Sequence, residues 1–148
     1  MRKWVELYAD EVFERAVQPA VEVINGATSF LEPQLMMLAI SLDRFGHFRH
    51  GDGRRRAMWE NIEKCLIDAQ LDWPEIGSRR GIAMAISNIN NDLKHPDREQ
   101  YPETTELAGA VYLSKIIVRA QLFDLLGLPD TLRQGFLRSN DARNAVDV

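Results

Sequence analysis

Apolar side chains recur at steps of three and four residues through each long stretch of this chain, and glycine or proline stands where that rhythm stops. Such spacing places side chains on one face of an α-helix, whereas a half-buried strand needs strict apolar–polar alternation. No segment alternates over strand length with turn signals at both ends, so the sequence predicts an all-α fold, an antiparallel bundle of about five helices. With 148 residues and 45% hydrophobic content, one core and one domain are expected, and a chain of this length buries about 70% of its unfolded surface.

Trp4, Leu7, Tyr8, Val12, Ala16, Val17 and Val21 carry a long first helix up to Asn25-Gly26, with a kink expected at Pro19. Pro33 suits a first helical turn, and Leu35, Leu38, Ala39, Leu42 and Phe45 carry the second helix to the break at Gly51-Asp52-Gly53. A third helix over 54–71 turns Met58, Ile62, Cys65, Leu66 and Ala69 inward, and Asp72-Trp73-Pro74 ends it. The fourth runs from Glu75 or Ser78 to Lys94. A polar loop with Pro96 and Pro102 leads to the fifth, capped by Thr104 or Thr105 and ending at Gly127, and Thr131–Leu137 adds a short helix. The single helical domain is expected over 1–138, and the polar tail over 139–148 is expected to fray.

Lys and Arg number 18 against 22 Asp and Glu, a net charge of −4 that argues against broad coating of nucleic acid, although a local basic site is compatible with it. The one cysteine, Cys65, excludes an internal disulfide and reads as buried filler. No apolar run approaches the roughly 18 residues a membrane span needs, and the start lacks the apolar segment of a secretory signal, so a cytoplasmic protein with no membrane partner is expected.

The functional candidate is the run Ser87-Asn88-Ile89-Asn90-Asn91-Asp92-Leu93-Lys94-His95-Pro96. Ile82, Ala85, Ile86, Ile89 and Leu93 form an apolar stripe, and Asn88, Asn91 and His95 form a polar one beside it. Helix capping accounts for one or two of these amides, because Pro96 ends the helix at or before His95.

The polar residue followed by His95 at the end of an inner helix, then Pro96, a charged loop and a long apolar helix, resembles the HEPN superfamily, in particular its Apea-like branch. The stretch Phe30 to Asp43 resembles that family's second helix, and Tyr112 to Ala120 running into Leu125–Pro129 its closing helix, so the likeness spans Trp4 to about Pro129. For members with the full motif, the resemblance implies metal-independent RNA cleavage in bacterial defence or toxin-type systems, in a cleft shared by a homodimer, with no cofactor. It also leaves room for a further amino-terminal domain or a partner protein outside this chain. Carried onto this sequence, His95, Asn91 and Asn90 are the catalytic candidates, and Lys94, Arg98 and Asn88 the RNA-binding ones.

This chain departs from the pattern at one position: Asn90 stands where the motif arginine belongs, and Asn88 and Ile89 supply none either. An imidazole titrating near ~6.5 can take a proton from a ribose 2′-hydroxyl. A neutral amide, however, offers two donors and no charge where a guanidinium offers a phosphate-matched fork. Arg79 and Arg80 lie about 22 Å along the same helix, too far to substitute. Two readings follow: an RNA-directed enzyme that recruits Lys94, Arg98 or a partner's cation, and a non-catalytic domain that dimerises or senses a ligand. If the domain is an enzyme, Asn90→Arg should raise its activity.

Other motifs carry less. Arg54-Arg55-Arg56 after Gly-Asp-Gly either binds phosphate or faces solvent, the latter favoured because cations at a helix start oppose the dipole. His47 and His50 have a spacing that can present two metal ligands, but no second ligand pair accompanies them, so no metal site is assigned. Trp4, Trp59 and Trp73 read as core or interface anchors.

Overall fold

The computed structural model describes residues 1–97 and 99–145. These residues form seven α-helices, α1 (Arg2–Tyr8), α2 (Glu11–Ile24), α3 (Leu31–His50), α4 (Met58–Asp68), α5 (Arg79–Lys94), α6 (Thr104–Leu125) and α7 (Asp130–Ser139), and a 3-10 turn over Ala142–Ala145, with no strand among them. The all-α class therefore stands.

The amino-terminal stretch is two helices rather than one. Asp10 adopts an extended conformation, and its carboxylate accepts from the backbone N–H groups of Val12 at 2.8 Å and Phe13 at 3.3 Å, which starts a new helix. The apolar rhythm passes through the break unchanged, so spacing alone does not reveal it. Pro19 lies inside α2 and lacks the N–H that would meet the Arg15 carbonyl. Arg44 fills that gap from α3, donating through Nη1 to the Arg15 carbonyl at 2.9 Å, and Ser41 Oγ donates to the neighbouring Ala16 carbonyl.

α3 is the central element, packed against α2, α4, α5 and α6. Leu35, Leu38, Ala39, Leu42 and Phe45 are fully buried, as their spacing predicts. Phe13 of α2 meets Phe45 and Phe48 edge-to-face with centroids 6.0 and 5.7 Å apart, and Trp4 brings α1 onto the other side of Phe13. At Gly46 a Cβ would fall 2.2 Å from the Asn61 carbonyl oxygen, so only glycine permits α3 and α4 to approach this closely. Helix α3 ends where Gly51 takes the left-handed conformation, φ 65°.

α4 begins at Met58, not Arg54, with the Glu60 carboxylate accepting from the Ala57 N–H at 2.8 Å. The triple arginine therefore sits in the preceding loop. α5 begins after Ser78, whose hydroxyl accepts from the Gly81 N–H. In α6 the cap position is Glu103 rather than a threonine, its N–H donating to the Glu106 carboxylate. Buried residues occupy about two thirds of the circumference of α6, and Ala108, Tyr112, Lys115 and Arg119 form the partly exposed stripe that remains.

The core also holds a polar strut. Arg49 of α3, with only 7% of its side chain exposed, donates through Nε to Gln121 and through Nη1 to Asp124 of α6, both at 2.8 Å. Gln121 in turn donates to the Cys65 carbonyl at the end of α4 at 3.0 Å. After α6, Phe136 of α7 stacks edge-on against Phe123 at 4.9 Å. The expected fraying does not extend to Ala142–Ala145, which pack on α6: Ala142 is 2% exposed and the Ala145 carbonyl lies where a Cβ on Gly109 would stand. Residues 146–148 lie outside the described residues.

Candidate functional site

The tip of α5 is set by its sequence. His95, the residue before Pro96, leaves the helical region at φ −124° while its N–H still reaches the Asp92 carbonyl at 3.3 Å. Asn88, Asn91, Lys94 and His95 are all exposed on this last stretch, so the polar stripe anticipated from spacing does face solvent. None of the four makes a side-chain hydrogen bond or ion pair among the described residues. Their common exposure supplies accessible donors, and the cation of Lys94 sits where a helix C-terminus favours positive charge. A catalytic imidazole is normally oriented by a second group, and none is present in the described part of this chain. Arg98, the remaining RNA-binding candidate, lies outside the described residues.

Asn90 requires a correction. The inward face of α5 is Ile82, Ala83, Ile86, Ser87 and Asn90, rotated from the stripe drawn through Ala85, Ile89 and Leu93. Asn90 is 0% exposed, its amide nitrogen is 3.5 Å from the Met58 sulfur, and its Oδ1 has no donor. It cannot touch an external phosphate from there. The rotation follows the packing: Arg80 and Asn90 meet Trp59 and Met58 of α4, while Ala85 and Ile89 line an open apolar groove of about 360 Å³ with Ala110 and Leu113 of α6.

The other cations of α5 are also spoken for. Arg79 Nε donates to the Leu71 carbonyl at 2.7 Å, and the Arg80 guanidinium lies over the Trp59 ring, 4.6 Å from its centroid. Cys65 is buried, with its thiol pushed up to about 12 by desolvation, which suits a packing role. His47 and His50 open onto different clefts. His50 has a buried Nε2 without a partner, and burial, then Arg56 and Lys64, hold its pKa below the ordinary 6.5. No group of three or more His, Cys, Asp or Glu residues converges to hold a metal ion among the described residues.

A second polar centre was only half visible in the sequence. The arginine run marks it, but its other members come from elsewhere: Arg15 from α2, Asp43, Arg44 and His47 from α3, and Asn61 from α4 line an open cleft of about 520 Å³ with Arg55 and Arg56. Asp43 and His47 are one turn apart on α3, but nothing in their local spacing announces Arg15 or Asn61. Compared with protein-family models, curated proteins and solved structures, the chain finds no match.

Proposed function

We propose that this chain is a catalytically silent, HEPN-like helical domain, an antiparallel bundle that dimerises through the α5 side and responds to a ligand rather than cutting RNA. The observation that carries this reading is Asn90: the position of the motif arginine holds a neutral amide with no exposed surface. Stabilising charge that develops on a phosphate needs a donor aimed at it, and loss of one such group typically lowers a rate by ~100-fold or more. His95 stays accessible but has neither a fixed cation nor an orienting partner beside it among the described residues.

A second reading, a metal-independent endoribonuclease of a bacterial defence or toxin-type system, draws support from the exposure of Lys94 beside His95 and Asn91, with Asn88 one turn back. The two readings part in one experiment. With RNA and chelator present, wild type and His95→Ala are expected to be equally inert. Chelator-resistant cleavage that leaves cyclic-phosphate ends and vanishes in His95→Ala would overturn the silent reading.

A further inference from the structure

The cleft between α2, α3 and the loop before α4 has a basic mouth and an acceptor floor. Its lining holds four arginines, Arg15, Arg44, Arg55 and Arg56, against one carboxylate, Asp43. Arg15 is ion-paired with Glu11, and Arg56 holds Asp52 through two hydrogen bonds of 2.8 and 2.6 Å. Arg44 spends Nη1 on the Arg15 carbonyl and keeps its other donors, and Arg55 is exposed and makes no hydrogen bond or ion pair among the described residues. Two guanidiniums with free donors thus stand at the mouth, a fork geometry that matches phosphate oxygens.

The floor has the opposite character. Asn61 is 4% exposed, and its Nδ2 donates to Asp43 Oδ1 at 2.9 Å, which fixes the amide so that Oδ1 is the acceptor left over. That Oδ1 has no hydrogen-bond partner. Asn61 Oδ1 has no surface a ligand could touch, so the acceptor offered to the cleft is the partly exposed Asp43 carboxylate that Asn61 holds in place. Phosphate alone is small for a cleft of about 520 Å³, which holds a larger molecule. Among the described residues the His47 imidazole is the one ring that lines the cleft, and no Phe, Tyr or Trp is there to stack on a nucleobase.

We propose that this cleft binds a sugar phosphate, with the phosphomonoester held by Arg44 and Arg55 and sugar hydroxyls donating to the Asp43 carboxylate that Asn61 orients. The site is separate from the α5 tip, and its occupancy is read by binding alone, so its failure and the failure of the silent-domain reading are distinguishable. The test is titration calorimetry of the full chain with ribose 5-phosphate, glucose 6-phosphate, inorganic phosphate, free ribose and AMP. Micromolar binding of a sugar phosphate is expected, with inorganic phosphate and ribose each weaker by about tenfold or more. Arg55→Glu should weaken it by about tenfold or more without moving the melting temperature, since this side chain supports nothing in the fold. Binding no tighter than millimolar, equal affinity for inorganic phosphate, tighter binding of AMP, or an unaltered Arg55→Glu affinity would each overturn the proposal.

Discussion

Asn90 is the residue at which chemical expectation and packing part company. A buried amide with one weak donor contact to sulfur and an unsatisfied oxygen is a stability defect, so Asn90→Leu is expected to raise stability by about 1–2 kcal/mol in urea unfolding. Asn90→Arg, which motif logic favours as a restoration, places a guanidinium at a position with no exposure and should destabilise by several kcal/mol instead. Comparable or greater stability of Asn90→Arg would show that α5 can turn this side chain outward. His50 gives a pH-dependent counterpart. Its folded pKa lies below the ordinary 6.5, first through desolvation, so the unfolded chain binds more protons and stability falls as pH drops below about 6.5. Unfolding curves at neutral pH and near pH 5 should therefore diverge more for wild type than for His50→Gln, and parallel losses would exclude His50 as the cause.

At the scale of elements, two glycines make the same kind of close approach with different consequences. Gly46 meets the backbone of α4 deep in the core, so Gly46→Ala has to push two packed helices apart and is expected to lower stability by about 3 kcal/mol or more, measured by thermal or urea unfolding. Gly109 meets only the Ala145 carbonyl of a short terminal turn, which can move away, so Gly109→Ala should cost much less. An equal loss in both variants would mean that the turn over Ala142–Ala145 is as firmly held as α4. The Arg44 contact to the Arg15 carbonyl shows a related economy: Pro19 creates an unpaired acceptor in α2, and a side chain of α3 answers it.

At the scale of the whole molecule, the proposed dimer places the exposed Met84, together with Ala85 and Ile89, in an interface. Sedimentation at micromolar concentration is expected to give a dimer that Met84→Glu shifts towards monomer, and a wild-type monomer throughout that range would count against it. Helix class and most of the inward face of α3 were legible because a 3.6-residue period is a local property, and five of its apolar positions are fully buried as spaced. The Asp10 break was written in the sequence too, but as a capping side chain beneath an uninterrupted rhythm. What local pattern cannot carry is the rotation of a helix about its own axis. Periodicity identifies which residues share a face, whereas the packing of α4 on α5, with Met58 against Asn90 and Trp59 under Arg80, decided that Asn90 points inward and Ala85 outward. The same holds for the basic cleft: the arginine run was visible in the chain, but only the packing of α2, α3 and α4 set Arg15, Arg44 and the unpaired Asn61 acceptor beside it, because those residues are distant in sequence and meet through burial of apolar faces that have no polar role.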